Sequence, residues 1–258
     1  MSAPVAASVE GAVGVIELSR PEKFNCISTS VMTALDAGRT RFEADSKVRA
    51  ILIRAAGKHF CTGADLDEVK GLRTDEAGLQ RFLGEGMEVL MRLEASPLPV
   101  VAAVHGFALA GGLELMLAAD VVFAGRSAKL GDQHAQFGLI PGWGGSQRLA
   151  RLLGVRRALD LMLSARWLEA EEARAVGLVN HVVDDERLDE EAMAYCVKLA
   201  ERSRTGLAQM KRLAREGVEL RLADAMALER DAAVRHIMSA DVSEGLAAFE
   251  GRRPPRFA

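Results

Sequence analysis

The chain has 258 residues, enough to bury a sizeable core in one large domain or in a domain with an appendage. A formal net charge of -3, with lysines and arginines spread along the chain, argues against a nucleic-acid-binding protein. No apolar run reaches the length of a membrane span, the N-terminus lacks the pattern of a secretion signal, and the three cysteines have neither metal-ligand nor disulfide spacing. We therefore expect a cytoplasmic protein in a reducing compartment, with no metal, nucleic acid or membrane as partner.

Hydrophobic periodicity predicts strands and helices that alternate through most of the chain. Strands are predicted at 13–18, 49–54, 100–104 and 121–124. Helices are predicted from a cap at 28–30 through Phe42, and at 75–95, 110–119, 146–153, 156–164, 169–175, 188–202, 205–216 and 222–237. Strands followed by helices predict a layered α/β domain, and the last fifty or so residues resemble an all-helical appendage.

Two loops follow buried strands and place glycine or alanine where a helix begins. The first is CTGADL at 61–66 and the second is ALAGGLE at 108–114. Such a turn lets a ligand approach bare backbone N–H groups, and two of these aimed at one point make an oxyanion hole. Taken alone, each loop is more typical of helix capping and close packing, so a catalytic function requires that the two converge.

An acidic residue, Glu114, opens the apolar helix that follows the second loop. An acid at a helix N-terminus is favoured by the helix dipole, which is a purely structural explanation. In an apolar pocket the same carboxyl group can act as a general base or acid. The apolar neighbours of Glu114 favour the catalytic interpretation.

Six segments in this order resemble the enoyl-CoA hydratase/isomerase (crotonase) superfamily over nearly the whole chain. They are RPEKFNCIS, GKHFCTGADLDEV, PVVAAVHGFALAGGLELMLAAD, FGLIPGWGGSQRLARLLG, ARAVGLVNHVV and DVSEGLAAFEGRRPPRF. The resemblance implies an α/β fold in which a crotonase-like spiral of strand-strand-helix units occupies 1–202. It implies that 203–258 form a helical C-terminal oligomerisation region that builds a homotrimer or a dimer of trimers.

The resemblance also implies an acyl-CoA substrate, with coenzyme A as part of that substrate and no separate cofactor. The thioester oxygen would be held by the backbone N–H groups of Ala64 and Gly111, and losing one such donor typically costs about 3 kcal/mol in the barrier. Contacts with the adenine and pantetheine of coenzyme A are implied for Lys23, for Phe24 and for the backbone of Ala64, Asp65, Leu66 and Asp67.

The family's hydratases use two glutamates that share a water, and only one is matched here. Glu114 stands three residues after the oxyanion-hole glycine, as the pattern requires, whereas His134 stands where the second glutamate is expected. Isomerases and hydrolases of the family can carry an Asp at positions held here by Gly142 and Trp143. Trp143 is equally consistent with a wall of the acyl pocket and with a core residue.

Three interpretations of His134 remain open. In the first and preferred one, a hydratase adds or removes water: Glu114 activates it, and His134 orients it or delivers a proton to the α-carbon. In the second, the enzyme is an enoyl-CoA isomerase, a decarboxylase or a thioester hydrolase. In the third, His134 is structural and the protein only binds acyl-CoA. Asp132 would share a face with His134 on a strand, but it is more typical of a solvated or hydrogen-bonded loop acid.

Overall fold

A computed structural model describes residues 3–257 and contains two sheets surrounded by helices. The strands are β1 (Val5–Glu10), β2 (Val13–Leu18), β3 (Ala50–Ala55), β4 (Val100–Val104), β5 (Phe107–Leu109), β6 (Val121–Gly125), β7 (Lys129–Gly131), β8 (Leu168–Glu169) and β9 (His181–Val183). The helices are α1 (Thr29–Ala44), α2 (Leu66–Leu72), α3 (Glu76–Glu94), α4 (Gly111–Leu117), α5 (Gly145–Leu153), α6 (Val155–Ser164), α7 (Ala170–Ala175), α8 (Leu188–Ala200), α9 (Arg204–Gly217), α10 (Leu222–Ile237) and α11 (Ala240–Glu250).

The larger sheet has the strand order β1-β2-β3-β4-β6-β9. Only β1 and β2 are antiparallel, while every other neighbouring pair is parallel. A smaller sheet contains β5, β7 and β8, with β5 parallel to β7. Parallel neighbours need a crossover connection, so each return to the sheet carries a helix or a second strand with it.

Both faces of the larger sheet are covered, because side chains of one strand point alternately to opposite faces. On β3, Ile51 and Ile53 join the main hydrophobic core, which includes α1 and α3. Leu52 points the other way into a second cluster, where α8 contributes residues such as Cys196.

Strand and helix predictions from the sequence agree closely with the structure. The predicted strands at 13–18 and 100–104 and the helix at 222–237 have the observed bounds, and the Ser28 hydroxyl caps α1 as expected. The sequence pattern does not predict β1, because only Val5 of this edge strand is buried and the apolar alternation is weak. It also misses β5, β7, β8 and β9, each only two or three residues long, and α11 as a separate helix.

Ion pairs attach the C-terminal helix α9 to the rest of the chain. The Lys211 ammonium lies 2.7 Å from the Asp120 carboxylate and donates to the Leu98 carbonyl at 3.1 Å. Arg215 pairs with the same Asp120 at 2.8 Å. Burial lowers the pKa of Lys211, and the charge of Asp120 opposes that shift. The predicted division at 202/203 falls between α8 and α9 and stays a prediction.

Candidate active site

The two glycine-containing loops lie side by side. Cys61 forms a parallel bridge with Ala108, in which the Cys61 N–H donates to the Phe107 carbonyl and the Leu109 N–H donates to the Cys61 carbonyl, both at 3.0 Å. The approach is so close that a β-carbon at Gly112 would lie 2.2 Å from the Cys61 carbonyl oxygen. The convergence that a catalytic function requires is therefore present.

One backbone amide on each of the two loops lacks a hydrogen-bond partner within residues 3–257. The N–H groups of Ala64 and Gly111 donate to no backbone carbonyl or side chain within residues 3–257. A β-carbon at Gly111 would lie 3.3 Å from the Ala64 nitrogen, so the two amides are neighbours. Ala110 turns the chain between β5 and α4 with a φ of 48°, a value that non-glycine residues rarely adopt. Two unpaired donors thus lie close together beside a strained turn.

Glu114 is a buried carboxylate with one oxygen committed to the backbone. It is 1% exposed, and its Oε1 accepts hydrogen bonds from the Trp143 and Gly145 N–H groups, both at 2.8 Å. Its Oε2 lies 3.8 Å from His134 Nε2. Burial raises the pKa of Glu114, although the two backbone hydrogen bonds and the charge of His134 act in the opposite direction. The free oxygen therefore belongs to a carboxyl group that binds a proton more readily than an exposed one.

His134 lies between two carboxylates. It begins a short 3₁₀ helix at His134–Phe137, and its Nδ1 lies 3.0 Å from Asp132 Oδ1, while Nε2 points towards Glu114. Burial alone would lower the pKa of His134, but the hydrogen bond to Asp132 and the charges of Asp132 and Glu114 raise it overall. The imidazole is accordingly stabilised in its protonated form.

Asp132 is a hydrogen-bonded loop acid, one of the two environments expected for it, with its Oδ1 3.0 Å from His134 Nδ1. Its side chain is buried, with the residue 1% exposed, so it is not a solvated acid. It does not share a strand with His134 either. A left-handed backbone conformation at Gln133, with a φ of 58°, brings the two side chains together after β7 ends. A turn, rather than strand alternation, produces the contact.

A cavity of about 570 Å³ opens beside these groups. Residues predicted to bind substrate line part of it, namely Lys23, Ala64, Asp65, Leu66 and Asp67, together with His134, which was predicted to be catalytic. The remaining lining residues were not predicted: Cys26, Thr62, Leu109, Ala110, Gln133, Gln136, Phe137, Leu139 and Trp167. Most of these flank His134 or the two loops, so proximity along the sequence was the available signal. Glu114 does not line the cavity, but its Oε2 lies 3.8 Å from Nε2 of His134, which does.

The positions implied for coenzyme A lie only partly on the cavity, since Lys23 and Asp67 line it and Phe24 does not. Lys23 and Asp67 form an exposed ion pair of 2.8 Å, and the Phe24 ring is more than half exposed. Asp65 differs, because it is buried, pairs with Arg20 at 2.9 Å and caps α2 by accepting from the Asp67 N–H at 3.1 Å. The Asp65 side chain is thus occupied, and so is its backbone, because its N–H donates to the Ile27 carbonyl at 2.8 Å and its carbonyl accepts from the Val69 N–H at 3.0 Å. A contact between Asp65 and coenzyme A stays a prediction.

Trp143 lies behind the cavity rather than on its wall. The residue is 2% exposed, and its ring packs near Phe82 with ring centroids 5.4 Å apart. Close contacts with Gly86 and Gly111 leave no room there for a β-carbon. The role of Trp143 in binding an acyl chain stays a prediction, and its observed contacts support the Gly111 end of α4.

A larger cavity, of about 1170 Å³, lies between α3, α5 and α9. It is lined by ion-paired side chains such as Lys211 and Asp120 and reaches neither glycine loop. In the part of the chain that the structure describes, no group of three histidine, cysteine or acidic side chains could hold a metal ion. The smaller cavity is therefore the candidate active site.

Comparison with known proteins identifies the fold and the family. The family model described as enoyl-CoA hydratase/isomerase matches residues 8–258. A probable enoyl-CoA hydratase of Rhizobium meliloti (strain 1021) is 39% identical over 248 residues, which cover 96% of this chain and 95% of that protein. The mitochondrial methylglutaconyl-CoA hydratase of Mus musculus is 35% identical over 94% of this chain and 78% of its own length. The crystal structure of an enoyl-CoA hydratase from Bacillus anthracis superposes with a TM-score of 0.94 at 33% identity and covers 98% of each chain.

The architecture is an α/β fold of crotonase type with a helical C-terminal region, as the resemblance implied. The chain belongs to the enoyl-CoA hydratase/isomerase family, and it is a hydratase-like enzyme of that family, a lyase. The predicted family, fold class and enzymatic function are thereby confirmed.

Proposed function

We propose that this enzyme adds water reversibly to the double bond of an enoyl-CoA thioester, with Glu114 as general base and His134 as general acid. The observation that carries this proposal is the 3.8 Å separation of Glu114 Oε2 and His134 Nε2. One water can lie about 2.8 Å from both atoms at that separation, which is hydrogen-bonding distance. The two groups therefore replace the pair of glutamates that share a water in the family's hydratases.

The reaction can be written with every proton accounted for. Glu114 takes a proton from the water while the water oxygen forms a bond to the β-carbon of the substrate. The electrons of the double bond move into the thioester, which becomes an enolate. The protonated His134 then gives the proton of Nε2 to the α-carbon. Glu114 holds the proton taken from water and returns it to His134 Nε2, which restores both groups.

The negative charge that develops on the thioester oxygen needs donors already in place. The neighbouring N–H groups of Ala64 and Gly111, which lack protein partners within residues 3–257, support their proposed role as an oxyanion hole. Coenzyme A, as part of the substrate, would extend to the mouth of the cavity near Lys23 and Phe24. We propose no cofactor beyond the coenzyme A of the substrate.

We propose that the chain assembles as a homotrimer or a dimer of trimers, and its exposed apolar side chains support an oligomeric state. Large hydrophobic residues with more than half of their surface exposed recur through the C-terminal helices, and they include Met210, Val218, Leu222, Met226, Val234, Ile237, Met238, Leu246 and Phe249. Apolar surface of this extent is typical of subunit interfaces.

We also propose that the protein is cytoplasmic, and the three free, buried cysteines are consistent with a reducing compartment. Within residues 3–257, no helix has both the length and the apolar character needed to cross a bilayer.

The proposed function is tested by following loss of the enoyl-thioester absorbance of crotonyl-CoA with Glu114→Gln. Glutamine keeps an oxygen that can accept from the Trp143 and Gly145 N–H groups, so the fold should be retained while the base is lost. We expect kcat to fall by about 10²- to 10⁴-fold with a nearly unchanged melting temperature. Glu190→Gln on α8, where the carboxylate is exposed, serves as the matched control and should keep full activity.

Two outcomes would overturn the proposal. Full activity in Glu114→Gln would remove the general base. An inert wild type, with hydration gained by His134→Glu, would mean that His134 directs the same scaffold to another thioester reaction.

A further inference from the structure

Asp132 is a buried acid whose side chain is only partly satisfied. Its Oδ1 lies 3.0 Å from His134 Nδ1 and accepts from the His134 backbone N–H at 3.4 Å. Its Oδ2 is buried and has no hydrogen-bond partner among residues 3–257. A buried carboxylate is costly unless a charge or donor compensates it, and the imidazole is the compensating group at hand.

The local backbone holds this pair in place. Gln133, between the two residues, adopts a left-handed conformation, and its side-chain amide donates to the Ala165 carbonyl at the end of α6. The turn is thereby attached to a separate helix, and a non-glycine residue is kept at a φ that it rarely adopts. Backbone strain maintained next to the candidate acid is typical of a position that sets the orientation of a functional side chain.

The charged groups that face the imidazole are few. Asp132 approaches Nδ1 and Glu114 approaches Nε2. Helix α6 also packs against the 3₁₀ helix that His134 begins, and none of its charged side chains within the described residues pairs with the imidazole. The protonation state of His134 is therefore set mainly by these two carboxylates.

We propose that Asp132 is a positioning residue that binds the Nδ1–H of His134 and thereby presents Nε2 as the nitrogen that exchanges protons at the active site. A carboxylate bound to one ring nitrogen fixes both the tautomer and the orientation of the ring. The proposal rests on the proposed function, in which Nε2–H is the acid. The contact with Asp132 also explains how a histidine can stand where the family's hydratases carry a second glutamate, because the Asp132 carboxylate helps to keep the imidazole protonated.

The test compares the wild type with Asp132→Asn, using ¹⁵N-labelled histidine and NMR, with the His134 signal assigned by its loss in His134→Gln. We expect the titration of His134 to move to lower pH by about 1 unit or more in Asp132→Asn, because an opposite charge within hydrogen-bonding distance is removed. kcat for crotonyl-CoA should fall by roughly 100-fold, near the lower end of what a positioned acid contributes, with little change in KM. Asp184→Asn, at an exposed pair with Arg126, is the control that should change none of these.

The wild type provides a second measurement that needs no stable variant. Above the pH at which His134 loses its proton, the neutral ring should carry its hydrogen on Nδ1. A neutral ring protonated on Nε2, or an unchanged titration in Asp132→Asn, would overturn the positioning role. If the predicted NMR behaviour is seen but the wild type does not hydrate crotonyl-CoA, the proposed function fails while the positioning role stands.

Discussion

Replacing Gly112 with alanine tests how the two active-site loops are held together. The added β-carbon would lie 2.2 Å from the Cys61 carbonyl oxygen and 2.8 Å from both the carbonyl carbon and the β-carbon of Cys61. The clash is with backbone, so no side chain can rotate away to relieve it. Either the first loop or the start of α4 must move by about 1 Å, and this separates the two loops that carry the Ala64 and Gly111 amides.

The expected cost has a structural and a catalytic part. Overpacking of this kind costs about 1–3 kcal/mol, and the helical preference of alanine over glycine returns about 0.5–1 kcal/mol. The free energy of unfolding should therefore fall by up to about 2.5 kcal/mol. A displacement of about 1 Å between catalytic groups can reduce the rate by roughly 100-fold, so kcat should fall far more than stability alone would require.

The measurements are urea unfolding followed by circular dichroism at one fixed protein concentration, and kcat for crotonyl-CoA. Gly84→Ala is the matched control, because Gly84 lies exposed within α3 and a β-carbon there meets no atom within 4 Å. The control should be about 0.5–1 kcal/mol more stable than the wild type, with unchanged kcat. If Gly112→Ala behaves like Gly84→Ala in both assays, the close approach of the loops does not determine the site.

Hydration should follow a bell-shaped pH profile, because it needs Glu114 ionised and His134 protonated. The rate should rise as pH increases through the raised pKa of Glu114 and fall as pH increases through the raised pKa of His134. Initial rates measured across pH should show that His134→Gln loses the fall at high pH. Lys211→Met should lower the free energy of unfolding by up to about 3 kcal/mol in urea titrations, because Asp120 loses a buried partner. Arg221→Met, at an exposed pair, should change it by less than about 1 kcal/mol, and equal effects of the two variants would contradict the importance of burial.

The sequence alone was sufficient for the main elements and for the class of protein. Long periodic segments such as α3 and α10 depend on hydrophobic patterns within a few turns of the chain, and these patterns are visible in a single sequence. Six motifs in order identified the family. The position of Glu114 after a glycine turn pointed to the chemistry. Short strands such as β7 and β8 escaped prediction, because two or three residues carry no usable period.

Only the tertiary structure determined which site residues contact one another. The sequence could not show that one Glu114 oxygen is held by amides about thirty residues away, leaving the other to face His134. Nor could it show that Asp132 is buried against His134, since the contact depends on an unusual turn at Gln133 and not on strand alternation. Local patterns record the preferences of neighbouring residues, whereas burial, pKa and the pairing of distant groups arise only when packing brings separate segments together.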